Sequence, residues 1–394
     1  MDSREPNPTQ SILTHIHYLS ETIGPRGSTT PAERLGAEYC RDQFLQLGLS
    51  PIWEEYLSAK SIFTPHLIGA AFFLTAFFIY PLAGSVSAWI SAVIAIIGLS
   101  SELLELGFQP NLFRWLTPKA RSQNVFTIIP PQGEHLRDVI LIGHIDTQRT
   151  PLIFKNYRWV EIYKQFTTIA FVLFAIQIFL SVVGAIFQWN WIWYAMIPSA
   201  ISAILLGLIC VQANSTPFTK GANDNASAVG MVLGLANEFK HNPLENTRLY
   251  CVITGCEEVQ HYGAIDFFKR HRQEMKDPRG IVFELVGCEG PAWCVKEGII
   301  IPFHANPQLV KLAEEISQRH PDWQAYPTKI KGGNSEMSDC IRFHVPAITL
   351  FGLDRKGKAP NWHQEGDTFD KIKPAVIQQF YTLAREMIQQ IDQK

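Results

Sequence analysis

Five places in this 394-residue chain, read as strand ends, carry groups that bind metals or move protons. "LIGHIDTQ" carries His144 and Asp146, two apart on one side of a strand. "KGANDNASA" carries Asp224 ahead of a helix, and "TGCEEVQHYG" carries Glu257 and Glu258. "VFELVG" carries Glu284, and "NWHQEGDTFDKI" carries His363. Taken singly each has an ordinary explanation: a lone His or Asp beside a strand is usually a hydrogen-bonded structural residue. The adjacent pair is harder to explain that way. "RLYCVITGCEE" buries a strand and then presents two like charges together, which costs energy unless a cation or a proton intervenes. Two such carboxylates can divide labour, one ligating a metal and the other acting as base toward water. No His-Glu-x-x-His, Gly-x-Ser-x-Gly or P-loop offers a competing hydrolytic or nucleotide chemistry.

In this order, the segments resemble peptidase family 28, the co-catalytic zinc aminopeptidases with their glutamate carboxypeptidase and glutaminyl cyclase relatives. "SDCIRFHVPAITLFG" adds the family's Ser-Asp segment, and the resemblance covers the chain from about Asn124 onward, apart from an apolar block. It implies two Zn2+ ions per chain on nitrogen and oxygen ligands. Asp224 would bridge them, with His144 and Glu284 completing one site and Glu258 and His363 the other. Asp146 would orient these ligands from behind, and Glu257 would be the catalytic general base. Two departures stand out. Glu284 occupies a position where the family mostly has Asp. "KGGNSEMSD" offers Asn334 and Ser335 where the aminopeptidases often have an oxyanion-assisting Tyr, so that role stays unassigned.

The elements that must position these residues alternate between strand and helix. "PIWEEYL", "NVFTIIP", "DVILIGHI", "RLYCVITG", "GIVFELVG" and "VPAITLFG" read as strands. Helical periodicity marks "SILTHIHYLSETI", "PAERLGAEYCRDQFLQLG", "ASAVGMVLGLANEFK", "AIDFFKRHRQEM", "NPQLVKLAEEISQRH" and the closing "KPAVIQQFYTLAREMIQQI". The pattern predicts an α/β fold, a doubly wound mixed β-sheet, whose open carboxyl edges are where such sheets place their sites. The resemblance implies the zinc-peptidase, phosphorylase/hydrolase-like form of that sheet.

Two blocks break the alternation. Ser61–Ser101 is 41 residues without Asp, Glu, Lys or Arg, and Gln165–Thr219 is 55 more. A spanning helix needs about 20 apolar residues, so each block predicts an inserted helical transmembrane hairpin. Ile62–Tyr80 and Val86–Ser101 form the first; Phe166–Ala185 and Ile192–Val211 form the second. The expected division is 1–60, 117–160 and 213–394 for the catalytic domain, 61–116 for the first hairpin with an interfacial segment, and 161–212 for the second. Lys60, Arg114, Lys119, Arg121, Lys155, Arg158, Lys164 and Lys220 gather on one side of the hairpins. The positive-inside rule then predicts an integral membrane protein with four transmembrane helices, its catalytic domain and both termini cytoplasmic. The polar N-terminus shows no secretory signal. Seven scattered cysteines without a Cys-x-x-Cys pair speak against a disulfide framework and a zinc ribbon.

A formal charge of −2 and a pI near 6.6 provide no electrostatic footprint for nucleic acid. "NVFTIIP" and "DVILIGHI" are joined by the short "PQGEHLR" and should run antiparallel, so both insertions are expected to leave at the His144 edge. The expected partners are therefore the lipid bilayer and a peptide substrate that is apolar or membrane-associated; oligomeric state is not legible. The function this favours is a membrane-embedded zinc exopeptidase acting as an aminopeptidase. One alternative is a single-zinc glutaminyl cyclase-like acyltransferase or amide deacylase on the same fold, holding its metal with Asp224, Glu258 and His363. The other is a non-catalytic membrane scaffold that binds peptides.

Overall fold

The run Val139–Ile142, apolar at every position, lies in β3 (Arg137–His144), which is buried almost throughout. A strand covered on both faces reads as a continuous hydrophobic run, and such strands occupy sheet interiors. The computed structural model describes residues 7–189, 191–330 and 332–393. The first six residues of the polar N-terminus, Asn190 of the second predicted hairpin and Lys331 of "KGGNSEMSD" lie outside the described residues. Contacts divide the chain into two units, 1–58, 119–148 and 218–394 in one and 59–118 and 149–217 in the other.

The first unit holds a mixed sheet. Its other strands are β1 (Ile52–Ala59), β2 (Lys119–Ile129), β4 (Thr247–Thr254), β5 (Arg279–Glu284), β6 (Ala292–Glu297), β7 (Phe303–His304), β8 (Tyr326–Lys329) and β9 (Ala347–Phe351). The order is β1-β2-β4-β3-β5-β9-β6-β7, with β8 on β6. β4, β3, β5 and β9 are parallel to one another, while β2 is antiparallel to β4. β2 and β3 thus run in opposite directions as expected, yet they are not neighbours: β4, buried at every position but Arg248, takes the interior place between them. Strands β6 to β8 extend the sheet past β9 and had no clear sequence signal. β7 has 2 residues and β8 has 4, the latter carrying Pro327, which removes a ladder donor.

The parallel strands end in register at one edge, with His144 opposite Thr254 and Glu284 opposite Phe351. The helices Pro8–His17, Ser227–His241 and Pro374–Asp392 pack on one another, and Tyr262–His271 packs with Met337–Arg342. The core they share is continuous, running from Ile12 and Phe44 through Leu141 and Val252 to Phe380.

The second unit is helical, with Phe63–Ile79, Gly84–Leu106, Tyr157–Phe187 and Ile197–Asn214 as its long elements. It begins earlier and ends later than the apolar runs alone suggest, because Thr150 N–H donates to Pro217 O at 2.9 Å and closes its base. Three of these helices are long and apolar enough to cross a membrane; Phe63–Ile79, at 17 residues, is shorter. The helix expected to stop at Ser101 continues to Leu106. It carries the buried Glu102 and Glu105, which are paired with His66 at 2.7 Å and Arg114 at 3.3 Å. Polarity is inverted relative to a water-soluble bundle. Small residues such as Ala70, Ser91, Ala92, Ala95, Ser181 and Ala203 are buried, while Val93, Val172, Phe179, Ile201 and Leu208 are exposed. A methyl group on Gly184 would meet Tyr80 Oη at 1.8 Å. That close approach between helices is what small residues permit in membrane bundles.

Candidate metal centre

Asp224 sits in a turn that only a glycine at position 221 allows. Gly221 has φ +60, and a methyl there would lie 2.2 Å from Thr147 and 2.4 Å from Asp224 O. Two backbone donors fix the carboxylate-bearing segment: Asn223 N–H and Asp224 N–H give hydrogen bonds to Asp367 at 2.7 and 2.9 Å. Arg26, fully buried, ties the same segment down through Gly221 O at 2.9 Å and reaches β3's end through Ile145 O at 2.9 Å.

Held this way, Asp224 faces two histidines with different oxygens. Oδ1 lies 3.5 Å from His144 Nε2, and Oδ2 lies 3.4 Å from His363 Nε2. His144 Nε2 is also 3.4 Å from Glu284 Oε1, and His363 Nε2 is 3.3 Å from Glu258 Oε2. Two buried groups result, His144/Asp224/Glu284 and Asp224/Glu258/His363, sharing Asp224, with ligand atoms within 4.8 Å of one another. All five residues expected as metal ligands are therefore brought together. Glu257 joins them with Oε2 3.7 Å from His144 Nε2.

Asp146 stands behind the cluster, at 0% exposure. It accepts the backbone N–H groups of Glu257 and Glu258 at 3.0 and 3.1 Å and the Ser28 hydroxyl at 2.6 Å. Its other contact is His144 Nδ1 at 3.4 Å. Asp146 thus sets both, the glutamate pair through its carboxylate and the imidazole through its backbone carbonyl, 3.1 Å from His144 Nδ1. Burial opposes its charge, but His144, Ser28 and the Glu257 amide outweigh it and hold Asp146 below the usual carboxylate range.

The donor chemistry fits zinc: imidazole nitrogens and carboxylate oxygens, with the neighbouring Cys256 thiol turned to Glu33 at 3.4 Å. The 3.3 to 3.5 Å separations are longer than good hydrogen bonds. They match the edge of a tetrahedron with metal–ligand bonds of about 2.0 to 2.1 Å. Glu258 Oε1 is buried with no hydrogen-bond partner. Burial, with Asp224 nearby, pushes Glu258 up to about 7, His363 working against it. Burial pushes Glu284 up to about 8, with His144 opposing. Crowded carboxylates of this kind are stabilised by a cation.

Several residues act here without having been singled out in sequence. Asn225 donates to Glu284 Oε2 at 2.9 Å, leaving Oε1 toward His144. Gln148 donates to Glu258 Oε2 at 3.1 Å. Glu33, four residues after Thr29, accepts the Thr29 and Cys256 amides at 2.7 and 2.9 Å. His261 and Asp367 carried a faint signal, the first one helical turn beyond Glu257 and the second four residues beyond His363. Asn334 and Ser335 were left without a role; Ser335 donates to Glu297 at 2.7 Å.

Fold and donor set together define an α/β protein with a candidate metal centre at the carboxyl edge of a mixed sheet. Residues 212–388 match the sequence model of Peptidase family M28. The fold is that of a zinc aminopeptidase from Bacillus subtilis, at 14% identity, TM-score 0.58, and coverage of 98% of this chain and 96% of that one. An aminopeptidase from Aneurinibacillus sp. strain AM-1 is similar at 12% identity and TM-score 0.59, covering 97% and 93%. A glutaminyl cyclase from Bacteroides thetaiotaomicron bound to N-acetylhistamine is similar at 13% identity and TM-score 0.58, covering 97% of each. No curated protein matches in sequence.

Proposed function

We propose that the protein is a zinc-dependent exopeptidase, an aminopeptidase embedded in a membrane by its helical unit. The observation that carries the reading is the shared carboxylate: Asp224 turns one oxygen to the His144/Glu284 group and the other to the Glu258/His363 group. A site built for one metal has no need of His144 and Glu284 at 3.4 Å from each other.

His144, Asp224 and Glu284 would hold one zinc and Asp224, Glu258 and His363 the other. Bound zinc supplies Lewis-acid polarisation of the scissile carbonyl and acidifies the attacking water. Glu257 takes a proton from that water at Oε2 and delivers it to the leaving amine nitrogen. Asp146 keeps His144 and the Glu257–Glu258 backbone in place through the cycle, so that no ligand must reorganise when charge develops. The surrounding elements hold every one of these residues to 9% exposure or less, which strengthens their electrostatics.

Membrane embedding draws support from the inverted polarity of the helical unit and from aromatic residues at its extremities. Trp115 is exposed at one end, and Trp191 and Tyr194 at the other, as in an interfacial belt. Four spans require Phe63–Ile79, about 26 Å long at 1.5 Å per residue, to cross with help from its flanks. The basic residues Lys60, Arg114, Lys119, Lys155 and Arg158 then favour a cytoplasmic catalytic unit. Apolar or membrane-associated peptides suit an enzyme so tethered.

Glutaminyl cyclase-type chemistry is the second reading, favoured by a fold similarity equal to that of the aminopeptidases. The test is a panel of peptides with free and blocked N-termini, given to the detergent-purified protein. Release of the first residue from free peptides, lost by about 10²- to 10⁴-fold in Glu257→Gln, is the expected result. Conversion of N-terminal glutamine without release, or cleavage of blocked peptides only, would overturn the aminopeptidase reading.

A further inference from the structure

Glu257 has a second side. While Oε2 points at His144, Oε1 receives His261 Nε2 at 3.0 Å, and the opposite ring nitrogen, His261 Nδ1, lies 2.5 Å from Asp339 Oδ2. The three side chains form a line, carboxylate–imidazole–carboxylate, with His261 at 2% and Asp339 at 0% exposure. Asp339 is anchored in turn. It lies in the helix Met337–Arg342, its N–H donates to Glu336 O at 3.1 Å, and Oδ1 is 3.6 Å from Arg342 Nη1.

The backbone is bent to make this line. His261 N–H and Gln260 N–H both reach Glu257 O, at 2.9 and 3.0 Å, which winds the segment back on itself. Gln260 and His261 both take positive φ, +88° and +57°. For residues with a Cβ, such conformations cost on the order of 1 kcal/mol each and are held where the surroundings demand them. An imidazole placed between two buried carboxylates is costly unless it does something that packing does not.

We propose that His261, backed by Asp339, is a positioning residue for the general base: it clamps Glu257 Oε1 so that Oε2 alone faces the reacting water. The inference rests on the reading of Glu257 as base and deepens it. A free glutamate has three side-chain torsions to explore. Fixing one oxygen by an N–H donor locks the last of them, and near-attack geometry is where such locking is worth most. Asp339 fixes the ring itself, as an outer carboxylate does for metal-ligating histidines.

The test compares His261→Leu, His261→Gln, Glu257→Gln and the double variant Glu257→Gln/His261→Leu in the full-length, zinc-loaded protein. For His261→Leu, kcat is expected to fall about 10- to 100-fold, with KM and metal content close to wild type, while the melting temperature drops because Asp339 loses its buried partner. His261→Gln, which keeps a donor near the Nε2 position, should recover most of the loss. In the Glu257→Gln background, His261→Leu should cost nothing more, because a clamp without its base has nothing to orient. Unchanged kcat in His261→Leu, or losses that multiply in the double variant, would overturn the proposal while leaving the base assignment intact. If His261→Leu does not fold, Asp339→Asn takes its place in the same comparison. If Glu257→Gln is as active as wild type, the base assignment fails instead. A crystal structure of the His261 variant then decides the clamp: a changed Glu257 side-chain conformation supports it, and an unchanged one rejects it.

Discussion

Asp367 accepts the backbone N–H of Asp224 at 2.9 Å, so one buried carboxylate fixes the segment from which another reaches both halves of the metal centre. Asp367 touches neither histidine through any of these bonds; its effect passes through the Asn223–Asp224 peptide. Burial, with Asp224 close by, pushes its own carboxyl up to about 7, a measure of how unfavourable the placement is without compensating charge.

Asp367→Ala should therefore lower metal retention by about 10- to 100-fold, the usual cost of losing a group that orients ligands. Asp367→Asn, which retains one acceptor oxygen, should lose less. Competition with a chromogenic chelator measures both, and an Asp367→Ala protein that keeps wild-type affinity would show that the Asp224 turn holds itself.

Glu297 predicts a pH dependence away from the centre. Burial pushes its carboxyl up to about 8, against the hydrogen bonds from Ser335 and the charge of His261. The folded chain thus keeps a proton that the unfolded chain releases near 4.5. Its contribution to stability is complete below that value and is lost as pH rises through about 8. Glu297→Gln, neutral throughout, should flatten the decline in melting temperature across that window, a difference on the order of 1 to 3 kcal/mol at the alkaline end. Parallel curves for the two proteins would contradict the assignment.

Gly184 tests the packing of the helical unit. With Tyr80 Oη only 1.8 Å from where its Cβ would stand, Gly184→Leu should destabilise the unit in detergent by about 1 to 3 kcal/mol. Tyr80→Ala in the same chain should restore most of that loss. Thermal aggregation profiles read both, and a Gly184→Leu protein as stable as wild type would mean the two helices do not approach so closely.

Much of the site was legible because His144, Glu258 and Glu284 follow strongly apolar runs that mark strand ends, while Asp224 and His363, in polar segments, were placed by the resemblance. His144, Asp224, Glu258, Glu284 and His363 come from widely separated segments and meet at the carboxyl edge of the sheet. What could not be read depends on pairing across the chain. β4 inserts between β2 and β3 although a short turn joins the latter two. The helix through Ser101 runs on to Leu106 because Glu102 and Glu105 find His66 and Arg114. Asp367 and His261 carry only a faint signal in sequence, and only the fold brings one to the Asp224 amide and the other to Glu257.

The central claim is that Asp224 serves two metal sites at once. Zinc content per chain, measured on detergent-purified protein and on His144→Ala, tests it most directly. Two zinc ions in the wild type, falling to one in His144→Ala while Glu258 and His363 keep theirs, is the predicted result. A single zinc in the wild type, unchanged by His144→Ala, would contradict the two-metal account and favour the cyclase-type reading.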